Sequence, residues 1–422
     1  MLMKRLLMIC ALAVMAASAF AQAKNVKKVK AYIENSDTPI ALDLSNAKPG
    51  MVDEYRALLE PALTHPESRD MADTWRYAAR LKIYDMNQLL KEYARNGNQF
   101  KDIKAFFQNQ YDIVLYYENY ERLMHTPNEK GKLPYKDEEI GKEHIFAQQV
   151  ATGPRNNLVV GASQLVYTDA PFTVKLLDLY YETFDNPLFK ELDLRNKDEN
   201  LPLANFIYAT ALKETGTNEE KRMELLKQSL DGENGALALQ DIVTYYKEKD
   251  DHATMRQYLK IGTEKFPEQL IFHLNLVQDE LRNHEDAAAD ADAKKAIAII
   301  EADEKLKTDA NAAWLYYFDA VALYNMEKLE SAYDMFIKAY EHEANFDNLS
   351  GAANCAAMLG MKNNTKKDVA KKWYDKAIAH YEQCRTDFPD QEDVWGYQLY
   401  VCYNNTGNTA KAAQFKKYST KK

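Results

Sequence analysis

Eight histidines, four cysteines and 64 aspartates and glutamates are the side chains of this chain suited to acid–base, nucleophilic or metal chemistry. A zinc hydrolase needs two imidazoles one helical turn apart with a carboxylate between them, as in H-E-x-x-H. His65, His125, His144, His252, His273, His284, His342 and His380 form no such pair, and each is read as a solvated surface residue. Gly360-Met361-Lys362 followed by Asn363-Asn364-Thr365 lacks the second glycine and the spacing of a phosphate-cradling loop. Gly161-Ala162-Ser163-Gln164-Leu165 lacks the closing glycine of a nucleophile elbow. Glu285, Asp286, Asp290 and Asp292 are interleaved with alanines and carry no loop glycine, so they read as a solvated helix start rather than a calcium loop. No catalytic residue, metal ligand or cofactor is expected, and the chain is read as not an enzyme.

The amino end points to export. Lys4 and Arg5 precede an apolar run from Leu6 to Ala17, and Ser18-Ala19-Phe20-Ala21-Gln22 offers a small-x-small cleavage site after Ala21. Twelve apolar residues fall short of the roughly 20 that span a bilayer. A signal peptide over 1–21 is expected, with the mature protein periplasmic or secreted. Cys10 lies inside the apolar stretch, badly placed for a lipid anchor. Cys355, Cys384 and Cys402 fall in apolar helical patterns and are expected to be small buried hydrophobes, with one bridge among them left open. The formal charge of −10 forms no basic stripe, so nucleic acid is not expected as a partner.

The elements that must position any site are helices. Only 14 glycines and 12 prolines punctuate 422 residues, a low share for a globular protein. Apolar residues recur at three- and four-residue spacing, as in Tyr316, Ala320, Leu323 and Tyr324. Leu239, Ile242, Val243 and Tyr246 precede a polar turn at Lys249-Asp250-Asp251, after which come Met255, Leu259, Gly262 and Pro267. Ala332, Phe336 and Ala339 follow a helix carrying Tyr316 and Ala320. Ala377, Tyr381, Cys384 and Pro389 lead into Trp395 and Leu399, and Trp75, Ala78 and Ala79 open a helix after Pro66. The second-helix anchors Leu226, Leu259, Ile297 and Phe336 lie 33, 38 and 39 residues apart.

These offsets resemble the tetratricopeptide (TPR) repeat, W-x2-L-G-x2-Y, A-x3-F and a closing P in a 34-residue unit, in its divergent exported bacterial form. The resemblance implies an all-α, right-handed superhelix, an α-solenoid of stacked helix-turn-helix pairs. Its boundaries are a leader or cap over 22–50, divergent repeats over 51–200 with an insertion at about 127–154, and clearer repeats over 201–422. One short helix, around Glu143 to Val150, is expected inside the insertion.

The resemblance implies a non-catalytic scaffold that binds a protein or peptide partner of the cell envelope in a concave groove. The alternative is a helical-repeat binder of a glycan or other envelope ligand. Family positions flanking the core stripe carry over to Arg76, Arg80, Trp314, Tyr317, Tyr324, Tyr400 and Tyr403 as partner-binding candidates. Arg76 and Arg80 stand where the carboxylate-clamp subtype would have Lys and Asn, so that subtype is not reproduced.

Overall fold

The computed structural model describes residues 22–31, 33 and 50–419. The expected signal peptide lies outside these residues, as does most of the leader beyond its first helix. All regular structure in the described residues is helical, and the chain divides into two compact units, Met1–Gly235 and Ala236–Lys422.

The first unit opens with α1 (22–31), whose Val26 and Val29 pack with Tyr55 and Leu59 of α2 (Met51–Thr64) and Tyr77 of the following helix. Then come α3 (Ala72–Arg95), α4 (Ile103–Met124), α5 (Asp137–Leu165), α6 (Ala170–Glu182), the single turn α7 (Leu194–Lys197), α8 (Leu201–Thr215) and α9 (Glu219–Gln228). Consecutive helices pack as antiparallel neighbours, α3 on α4, α4 on α5, α5 on α6 and α8 on α9.

The expected insertion is corrected here. Residues 127–136 are a loop, but from Asp137 the chain forms one helix of 29 residues running through Pro154 to Leu165. Proline inside a helix costs about 3 kcal/mol, and Gly141, Gly153 and Pro154 made the segment read as broken. Burial overrides that local penalty, because Ile140, Ala147, Ala151, Leu158, Ala162 and Leu165 form one continuous buried stripe.

The second unit comprises α10 (Gly235–Glu248), α11 (His252–Lys265), α12 (Leu270–Arg282), α13 (Asp286–Ala302), α14 (Ala310–Asn325), α15 (Leu329–His342), α16 (Phe346–Lys362), α17 (Lys367–Asp387), α18 (Glu392–Asn405) and α19 (Thr409–Gln414). Alanines at 289, 293 and 296 let α13 lie close to both α12 and α14. A larger core gathers Phe336, Tyr374, Tyr381, Trp395 and the three cysteines, all of them free and buried.

The turns reveal the repeat. Gly216, Asp250, His284, Glu327 and Gly407 all have left-handed φ between 59° and 76°. In each case the next amide donates to a carbonyl five residues back, Thr217 to Leu212, Asp251 to Tyr246, Glu285 to Glu280, Lys328 to Leu323 and Asn408 to Tyr403. This is the Schellman ending, which satisfies carbonyls left over at a helix end and turns the chain into the next helix. The first three such residues are 34 apart in sequence. Counting back from them aligns Leu239, Ile242, Val243 and Tyr246 of α10 with His273, Leu276, Val277 and Glu280 of α12, and with Tyr316, Asp319, Ala320 and Leu323 of α14.

Prolines close the second helices as expected. Phe266 and Phe388, each preceding a proline, share nearly the same backbone, φ −131° with ψ 59° and 62°. Their amides make the last helical bonds, to Gly262 and Cys384, before the proline forces the chain out of the helix.

Candidate functional site

The seven candidate residues separate by burial. On α14, the inward stripe of Ala312, Leu315, Tyr316, Asp319, Ala320 and Leu323 is buried. The opposite stripe carries Trp314, Tyr317, Val321 and Tyr324, none of them buried. Trp314 is 44% exposed. Its ring lies 5.7 Å from Tyr317 and 5.8 Å from Phe318, and Tyr317 in turn packs on Phe336 at 5.7 Å. The helix is started by Asp309, whose carboxylate accepts from the Asn311 amide at 2.7 Å. A half-buried aromatic base thus holds one large ring in solvent with little freedom left to lose on binding. Tyr324 is less available, because its hydroxyl accepts from Asn354 at 3.3 Å and lies 3.1 Å from the Met358 sulfur.

Tyr400 and Tyr403 take a correction. Tyr403 falls in the turn-defined register of Tyr246 and Leu323, is buried, stacks on Phe415 and donates to Glu382 at 2.8 Å. Tyr400 sits one turn earlier on the same stripe, half-buried against the C-terminal core. Both are packing residues.

Arg76 and Arg80 are corrected as well. Arg76 is buried and ion-paired to Glu143, and the Arg80 guanidinium lies 3.5 Å from the same carboxylate, which also accepts from Tyr120 at 3.2 Å. Tyr120 and Tyr135 face the Arg76 guanidinium. The pair locks α3 to α5 through a shared carboxylate, and α5 supplies it from within the segment read as an insertion. No residue spacing pairs side chains separated by more than 60 residues.

Half of the histidines depart from the expected solvated positions, with His273 buried and His65, His144 and His380 half-buried, whereas His125, His252, His284 and His342 are exposed. His273 is 4% exposed. His144 and His125 lie 2.8 and 3.1 Å from the buried Glu121 carboxylate, and His380 contacts the Tyr333 hydroxyl at 2.9 Å. Sequence reading also missed two buried carboxyls. Burial pushes Asp319 up to about 7, and its retained proton is shared with Asp290, which Lys294 holds at 2.5 Å. Burial and the neighbouring Asp292 push Glu280 up to about 7. Among the described residues, no group of three or more His, Cys, Asp or Glu side chains is arranged to hold a metal ion, and no helix is long and apolar enough to cross a membrane.

The chain has a tetratricopeptide-like fold. That statement rests on the 34-residue turn spacing and the aligned core positions. No family model matches the chain, and no curated protein matches it. Among solved structures it is similar to the C-terminal part of a TPR repeat-containing protein from Cytophaga hutchinsonii, at 15% identity over 62% of this chain and 93% of that one, with a TM-score of 0.40. A MamA double mutant is 15% identical over 44% of this chain and 98% of its own, with a TM-score of 0.28. Human IFIT1, solved as a dimer with m7Gppp-AAAA, is 15% identical over 95% of this chain and 73% of its own, with a TM-score of 0.30.

Proposed function

We propose that the chain is an exported, non-catalytic scaffold that holds a protein or peptide partner of the cell envelope against the first-helix face of its repeats. The observation that carries this reading is Trp314, a large residue 44% exposed and backed by Tyr317 and Phe318 on the less buried face of α14. Tryptophan and tyrosine supply a disproportionate share of binding energy at protein interfaces, and a stack of repeats offers an extended face on which a chain segment can lie. The formal charge of −10 favours a protein partner over a nucleic acid. Export is supported by the charged, apolar and small-residue succession from Lys4 to Ala21.

The test is capture from an envelope fraction with the mature chain as bait, run beside a Trp314→Ala bait. A partner retained by the first and lost from the second supports the reading, whereas equal capture by both sinks it. Amino-terminal sequencing of the secreted protein should begin at Gln22, and an intact Met1 overturns export.

A further inference from the structure

α13 packs against both α12 and α14. Its buried face is mostly small: Ala289, Ala293 and Ala296 line it, and the larger Ile297 and Ile300 enter only near its carboxyl end. An alanine methyl buries little apolar area, so packing holds the amino-terminal half of α13 weakly. A carboxyl pair on each side supplements it.

Toward α14, Asp319 is fully buried, where α10 has Ile242 and α12 has Leu276 in the register set by the turns. Among the described residues, no N–H or O–H group donates to either of its carboxyl oxygens. A carboxylate there would lose its water with nothing in exchange, so the group keeps a proton and donates it to Asp290. Lys294 lies 2.5 Å from the Asp290 carboxylate, and Lys328, at the start of α15, lies 3.7 Å from it. The two ammonium groups keep Asp290 ionised.

Toward α12 the arrangement repeats. Glu280 is 2% exposed, where α10 has Tyr246 and α14 has Leu323, and its Oε2 is buried without a donor. It hydrogen-bonds to Asp292, whose carboxylate lies 2.6 Å from Lys295. Arg256 and Lys260 of α11 also face Glu280, but Arg256 is already bonded to Asp279 at 2.7 Å and to Glu285 at 2.9 Å. His273, the other titratable group beside Asp292, is pushed below its ordinary value by burial and adds no charge at neutral pH.

We propose that the amino-terminal half of α13 is a proton-operated clasp, closed between α12 and α14 while Asp319 and Glu280 keep their protons and opened locally as they lose them. Loss of the protons leaves a pair of carboxylates in a dry interface on each side of a helix held otherwise by alanines. Burial raises both acids to about 7, against about 3.9 and 4.3 for exposed Asp and Glu. The closed form is therefore favoured at low pH, and opening grows as pH rises until it levels off above about pH 7. The clasp stands whether or not the protein-partner reading holds.

The test is hydrogen exchange of the full chain at pH 6 and pH 8, read by mass spectrometry and corrected for intrinsic exchange rates. The reference is α17, whose buried face is Ala370, Tyr374, Ala377, Tyr381 and Cys384. At pH 8 the amides of α13 should be protected at least about tenfold less than those of α17, the mark of an opening more frequent than global unfolding. Between pH 6 and pH 8 the opening constant of α13 should rise about a hundredfold, about tenfold from each acid. Asp319→Asn and Glu280→Gln each keep a hydrogen-bond donor at every pH, so either alone should reduce that rise to about tenfold and the two together should abolish it. Equal protection of α13 and α17 at pH 8, an opening constant that does not change with pH, or a double variant as pH-sensitive as the wild type overturns the proposal. Should the double variant fail to fold, the single variants decide: a smaller rise in each supports the clasp, and an undiminished rise in either overturns it.

Discussion

Gly262 of α11 receives the ring of Phe272 from α12 with no room for a methyl group between them. A Cβ built at position 262 would lie 2.5 Å from Cγ of Phe272, a ring only 1% exposed. The same device recurs where Gly351 meets Phe336, Gly360 meets Tyr374 and Gly396 meets Tyr418. Gly262→Ala gains helix propensity but must displace a ring fixed in the core. It should destabilise by about 1 to 3 kcal/mol, read as a lower denaturant midpoint at unchanged m-value. A midpoint equal to the wild type would show that α11 and α12 do not meet this closely.

Gly262 also shows what the sequence made legible. Its place four residues before Phe266-Pro267 identified a second helix that ends at the proline, and the α11 boundaries agree. The repeat spacing, the all-helical class and the polar turn at Asp250 could be read because each depends on local chemistry: apolar periodicity, a turn and a proline stop. The fate of Arg76 was not readable. Its partner Glu143 lies in a segment whose glycines and Pro154 suggested an insertion with only one short helix, and burial of the Ile140 to Leu165 stripe makes that helix continuous from Asp137 to Leu165. Tyr403 was misplaced for a related reason. Its register depends on the Schellman turn at Gly407, which fixes the core stripe by backbone geometry rather than by residue type.

Arg76→Ala should therefore weaken folding rather than a binding surface. The substitution leaves Glu143 with the longer Arg80 contact and the Tyr120 hydroxyl as its remaining close partners. Removing one member of a largely buried pair costs about 3 to 5 kcal/mol. The melting temperature of the Arg76→Ala protein should fall clearly below that of Lys142→Ala, a change at an exposed residue of the same region. Equal melting of the two would return Arg76 to the surface.

Asp319 sets a pH dependence. Its folded-state pKa is raised to about 7, above an unfolded value near 3.9, so between these the folded chain holds a proton that the unfolded chain has released. Stability from this group is intact below about pH 4, declines as pH rises, and is lost above about pH 7. Asp319→Asn keeps a donor for Asp290 at every pH. It should leave stability nearly unchanged at pH 4 and raise it at pH 8, by on the order of 1 to 3 kcal/mol. Urea titrations at the two pH values measure this, and a gain of equal size at both would refute the shared proton.

Trp314 gives the sharpest separation of binding from folding. Its neighbours Leu315 and Tyr316 are buried and its own ring is 44% exposed, so Trp314→Ala removes surface that the core uses only in part. The stability change should stay within about 1 kcal/mol, with helical circular dichroism unaltered. Binding to the captured partner should fall by about 2 kcal/mol or more, the loss expected of a central aromatic anchor and equivalent to a roughly thirtyfold weaker dissociation constant. Tyr403→Ala provides the opposite control, because this ring stacks on Phe415 and donates to Glu382 inside the C-terminal core. It should lower the melting temperature whatever it does to binding. A Trp314→Ala protein that binds normally, or one that unfolds as readily as Tyr403→Ala, would show that the α14 face is not the surface the partner uses.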